Sequence, residues 1–414
     1  MYPEGRISLS CWVRPSNVNR AEELTTYATE EVTIVFNTEK FKRLVLVVGL
    51  ALVLFGVSSA NAADTDDSGS FLASLKDVAN PSTVPANGDV NPYGVAFVSH
   101  GGGLLKRGSI LVSNFNNSTN TQGTGTTIVQ IDKHANPSVF FQGESGLGLT
   151  TALGLLPQNL VIVGNVPNTN GTVMQGSLLI VNPKGQLIAT LTDSKLLDGP
   201  WDLTVQANGN TALVFVSNVL SGTVTRINIS VNRGTPMVTS MTQIASGYSH
   251  GPNPSALVVG PTGLVFDSRT GLLYVASTGD NEIFSIANAA STTADNGMGT
   301  LAYNDPAHLH GPLGLAMAPN GDLLTSNGDA VDADPTQTHN NEIVEFTSGG
   351  SFVDELQIDS GPSGAAFGIA VSNGELAAVD DDTNALHIFV DSDTDTGGRM
   401  GGMGMMGGMG MMGM

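Results

Sequence analysis

Residues 260–286 read GPTGLVFDSRTGLLYVASTGDNEIFSI, and this stretch decides the architecture. Pro261 fixes φ and offers no N–H, while Gly263 lets backbone pass where a side chain would not fit. Residues 264–266 then make a short apolar strand, and 267–271 form a turn rich in residues that tolerate tight dihedrals. Residues 272–277 make a second strand, apolar on both faces, as a sheet covered on both sides requires. A further turn at 278–281 leads into a third strand, 282–286. The unit is a β-meander.

The same order recurs from residue 91, 152, 199, 311 and 361, at intervals of roughly 50–60 residues, and such a period marks a repeat architecture. Six units with up to four strands each predict an all-β fold, a six-bladed β-propeller of four-stranded antiparallel blades. In the third unit Trp201-Asp202 stands where the others carry the second glycine. The sixth unit has only three strands before a Gly- and Met-rich tail. Its missing strand is expected from residues 69–75, GSFLASL, which echo GSFVDEL at 350–356. An N-terminal strand would close the ring and remove its open edge.

Pro-x-Gly followed by an apolar residue, a glycine turn, Leu273-Tyr274-Val275-Ala276 and then Asp280-Asn281 resemble the NHL repeat. The similarity covers residues 69–390 and is strongest in the last three units. It implies a propeller that serves as a ligand- or protein-binding platform. Related six-bladed folds include metal-dependent lactonases and an amidating lyase, so a metal-dependent hydrolase or lyase is the alternative. The gluconolactonase-like group carries a glutamate beside its first Gly-Pro as a metal ligand. The matching stretch here is Asn91-Pro92-Tyr93, without an acid.

Composition bounds the partners. Lys+Arg 16 against Asp+Glu 37 gives a net charge of −21, which argues against nucleic acid and anionic membrane surfaces. Lys40, Lys42 and Arg43 precede an apolar run at 44–57 and then Ser58-Ser59-Ala60-Asn61-Ala62. That order reads as a signal peptide cleaved after Ala62, with Val35 as an alternative start, and the run is too short to span a bilayer. The expected organisation is therefore a presequence and signal peptide at 1–62, a propeller at 63–396 and a tail at 397–414. The protein is expected to be exported, to the periplasm or beyond, without stable membrane insertion. The one cysteine, Cys11, lies before the cleavage site, so the mature chain needs a large core rather than disulfides.

Meander topology puts the blade-to-blade connections and the loops after each second strand on one face. The long loops at 114–125, 165–176, 246–260, 286–312 and 327–341 are assigned to it, and long loops on a rigid scaffold carry function. His250, His308, His310, Asp280, Asp329, Asp332 and Asp380 fall on that side. His250-Gly251-Pro252 and His310-Gly311-Pro312 repeat a tripeptide whose imidazoles suit zinc, or hydrogen bonds to their own loops. Asp329, Asp332 and Asp334 supply hard oxygens suited to calcium, or a solvated acidic loop. Asn114, Asn165, Asn218 and Asn327 end four second strands and are expected to close Asx-turns. The eight methionines of the tail are thioethers of the kind that bind copper(I), a remote third role.

Overall fold

The computed structural model describes residues 69–328, 331–333, 342–361 and 364–392. The signal segment, the tail, Asp329 and Asp334 lie outside the described residues. Six four-stranded antiparallel sheets form the blades of a propeller. Their innermost strands are Val90–Phe97, Leu149–Leu156, Pro200–Asn208, Pro261–Asp267, Pro312–Met317 and Ala366–Ser372. Each blade runs outward through consecutive hairpins, as the meander predicts.

Blade 6 takes its outermost strand from the N-terminus, closing the ring. That strand is Leu75–Ala79, paired with Ala385–Asp391, and not residues 69–75. Phe71–Ser74 instead makes one helical turn, capped by the Ser70 side chain accepting from Ala73 N–H. Glu345 in blade 5 enforces the turn, because its carboxylate accepts the N–H of Phe71 at 3.0 Å and of Leu72 at 2.9 Å. An extended strand would present only alternate amides to one acceptor. The turn drives Phe71 and Leu72 into the core between blades 5 and 6.

Packing follows the blade seams. Among the described residues six apolar clusters sit one to a seam, joining each blade to the next around the ring. Second and third strands are buried on both faces, which explains their unbroken apolar runs. Glycines of the innermost strands, in Pro261-Thr262-Gly263 and in Ala366-Phe367-Gly368, answer to crowding at the axis. A Cβ at Gly263 would overlap the carbonyl of Leu313, and one at Gly368 the carbonyl of Tyr93.

The loop after the third strand of blade 4 corrects one expectation. Thr300–Tyr303 is a paired fourth strand, so residues 287–299 belong to the opposite face, not to the long-loop face. Two other long loops carry small ladders of their own, Asn168–Thr169 with Thr172–Val173 and Gly251–Asn253 with Leu257–Val259.

Candidate functional site

The first pairing of every blade slips register beside its opening motif. The slips fall between Pro92 and Gly94, Leu149 and Leu153, Pro200 and Asp202, Pro261 and Leu264, Pro312 and Leu315, and Ala366 and Ile369. A bulge removes a residue from the ladder and re-aims its side chain. In four blades that residue is Tyr93, Trp201, Thr262 or Leu313, the x of the motif, and in blade 6 it is Phe367, which follows Ala366 where the other four blades have proline. All five line one cavity of about 200 Å³ at the long-loop end of the channel.

Its floor is aromatic. Tyr93 stacks on Phe115 and on Phe367 with centroids 4.6 Å apart in both cases, and Trp201 meets Tyr93 edge-on at 5.9 Å. Phe115 and Trp201 also meet edge-on at 5.3 Å. Such pairs hold each ring in one orientation beyond what burial alone provides. Tyr93, Phe115 and Trp201 are buried, while Phe367 keeps part of its surface open to the cavity.

The wall above is polar. Asn91, Gln122, Asp381 and Asp382 border both this cavity and a neighbouring one of about 660 Å³, which Asn116 and Asn168 also line. Asn91 is held at φ 59°, left-handed, with its N–H donated to Asn384 Oδ1 at 2.6 Å. Burial, then the charges of Asp382 and Asp380, push the Asp381 carboxyl up to about 8. Burial and Asp381 in turn raise the Tyr93 hydroxyl.

Asp202 occupies the glycine position of blade 3. Its Oδ1 accepts from Leu203 N–H at 2.7 Å, and burial pushes its carboxyl up to about 8.

The described residues among those singled out from sequence do not gather at this cavity. His250 is exposed, with Nδ1 2.8 Å from the Tyr248 carbonyl. His308 pairs with Asp305 at 2.8 Å and stacks on Phe352, an outer-strand residue, with centroids 3.8 Å apart. His310 is buried, with Nδ1 2.6 Å from the Asp332 carbonyl, and Asp332 accepts from Asn281 at 3.1 Å. Asp280 accepts from Ser249 N–H at 3.0 Å and from the Ser277 hydroxyl. Asp380 is buried against Thr383 and His387. His310 and Asp332 thus meet, but through backbone. No group of three His, Cys, Asp or Glu side chains suited to a metal occurs among the described residues, which leave out Asp329 and Asp334.

The strand-end asparagines act across loops rather than in local Asx-turns. Asn165 accepts from Gly148 N–H, Asn218 from Asp198 N–H and Asn327 from His310 N–H, each in the connection leading into its own blade. Asn114 donates to the Thr83 carbonyl in the corresponding place. Just before three of them, Ser113, Ser217 and Ser326 donate to the next blade's first strand, at the carbonyls of Thr150, Thr262 and Phe367. These bonds fix the cavity floor.

Neither a protein-family model nor a curated protein sequence matches the chain. Solved structures of six-bladed propeller-like proteins do resemble it. One, named as a candidate gluconolactonase, is 14% identical, with 78% of this chain and 96% of that one covered, at a TM-score of 0.45. A candidate oxidoreductase of the glucose dehydrogenase type from Thermus thermophilus is 14% identical over 76% of this chain and 99% of its own, at 0.44. A luciferin-regenerating enzyme is 10% identical over 76% and 94%, at 0.46. Likeness at this level concerns fold and not chemistry.

Proposed function

We propose that this chain is an exported, NHL-like propeller that works as a non-catalytic binding platform, with a small ligand seated at the channel mouth of its long-loop face. The observation that carries the reading is the convergence of Tyr93, Trp201, Thr262, Leu313 and Phe367, from five blades, on one cavity beneath Asn91, Gln122 and Asp381. An apolar floor with few polar groups above it is the usual form of a small-molecule site. A ring of blades also holds it rigid, which lowers the ordering entropy of binding. Export is supported by the basic, apolar and A-x-A order of residues 40–62.

Soaking crystals of the protein with a library of aromatic fragments tests the reading. Fragments should collect between Trp201 and Phe367. A cavity of about 600 Å³ toward the opposite face, bordered by Ile110, Asp132, His134 and Val390, is the rival. Occupancy there, with the channel mouth empty, overturns the reading.

A further inference from the structure

We propose that the ligand of the channel mouth is an organic cation, an amine or quaternary ammonium carrying an apolar group, held by Asp381 and Asp382 above the aromatic floor. This rests on the binding reading just given and adds the charge of the ligand to it.

The wall asks for donors or positive charge. Asp381 and Asp382 stand at the junction of the two cavities, and among the described residues no lysine, arginine or histidine lines either one. Amide oxygens compound the excess of acceptors. Asn91 is 8% exposed and Asn116 2%, both border the larger cavity, and Oδ1 of each has no hydrogen-bond partner among the described residues. Oδ1 of Asn168, in the same wall, is likewise unpartnered while its Nδ2 donates to the Gln122 carbonyl at 3.0 Å. Because a carbonyl can only accept, that bond fixes which way the Asn168 amide points. Buried acceptors without donors are costly, and a ligand that brings N–H groups or a positive charge relieves them.

The floor suits the same ligand. Trp201 and the partly open ring of Phe367 line the cavity and can offer π surface to a cation while burying apolar substituents; Tyr93, stacked between Phe115 and Phe367, holds the Phe367 ring in place. An anionic ligand would meet Asp381 and Asp382 together. A bare metal ion would leave the aromatic floor unused.

Calorimetry on the full chain with benzyltrimethylammonium, benzyl alcohol, phenylacetate and calcium chloride tests the proposal. Benzyltrimethylammonium should bind at least tenfold more tightly than benzyl alcohol, and phenylacetate should not bind. Asp381→Asn should remove most of that advantage, with Asp382→Asn at the exposed position as the second variant should the first fail to fold. Arg269→Glu, in a turn on the opposite face, should change nothing. The probe's charge is fixed, so its affinity should rise with pH as Asp381 ionises near 8 beside Asp382, Asp380, Asp359 and Tyr93. Equal binding of benzyl alcohol and the ammonium, unaffected by Asp381→Asn, sinks the cation and leaves the binding site standing. Calcium that binds and displaces the ammonium also sinks it, in favour of a metal. Failure of every aromatic probe to bind the folded protein overturns both proposals.

Discussion

His387 Nδ1 lies 3.1 Å from Asp77 Oδ2, so the third strand of blade 6 is tied to the N-terminal strand by a side-chain bond across 310 residues. His387 Nε2 meets Asp380 Oδ2 at 3.2 Å on the other side, and the imidazole is buried between the two carboxylates. Ring closure therefore combines a backbone ladder with a charge clamp.

The clamp makes closure depend on pH. Burial opposes the charged imidazole, but Asp380 and Asp77 win and raise the His387 pKa above 6.5. Its contribution is therefore fully present below 6.5 and lost as pH rises through the higher folded value. Burial likewise opposes a charged Asp380, yet His387 and Thr383 lower its pKa below 3.8, so its share is present above 3.8 and lost as pH falls through the lower folded value. The Tm difference between the parent and His387→Gln should be widest between 3.8 and 6.5, shrinking as pH rises through the folded value of His387 and as it falls through that of Asp380. A difference that does not vary with pH contradicts the clamp.

Phe71→Asp should destabilise the ring by several kcal/mol, because Phe71 is 6% exposed and packs in the seam of blades 5 and 6. Glu345→Ala should also lower Tm, since it strips the acceptors from Phe71 and Leu72 N–H. Denaturant melts of both variants that match the parent would show that the turn is not a fixed part of the ring.

Gly263→Ala and Gly271→Ala separate crowding from backbone strain. The first meets the Leu313 carbonyl, so the strands must shift, an overpacking effect of about 1–3 kcal/mol. The second has open space but sits at φ +74°, where a side chain costs roughly 1–2 kcal/mol. If thermal melts show that Gly263→Ala is neutral, the axial glycines are not there for close approach.

Asp202 should make the protein less stable as pH rises, the reverse of a paired carboxylate. Its pKa is raised by burial from 3.8 to about 8, so stability is lost progressively across that interval. Asp202→Asn keeps an acceptor for Leu203 N–H and should flatten the decline. Parallel pH profiles for parent and variant would show that Asp202 is not desolvated.

The repeat, the strand pattern and the closing role of the N-terminus were legible because they rest on local periodicity and turn chemistry. The register of closure was not. GSFLASL and GSFVDEL share letters, yet the first becomes a helical turn because Glu345, 274 residues away from Phe71, accepts its amide. The cavity floor was hidden for a related reason. The variable x of Pro-x-Gly looks like one more apolar strand residue until a bulge turns it toward the axis. His308 and His310 drew attention as chemistry-bearing side chains, but Asp305 and the Asp332 carbonyl engage them locally.

Trp201 offers the most direct test of the binding site. The sequence contains two tryptophans, so Trp12→Phe in the full chain leaves Trp201, in the cavity floor, as the sole indole. Titration with benzyltrimethylammonium should change Trp201 emission saturably, with the midpoint found by calorimetry, and Phe367→Ser should weaken both signals together. Calorimetric binding with unchanged Trp201 emission would place the ligand elsewhere and contradict the account.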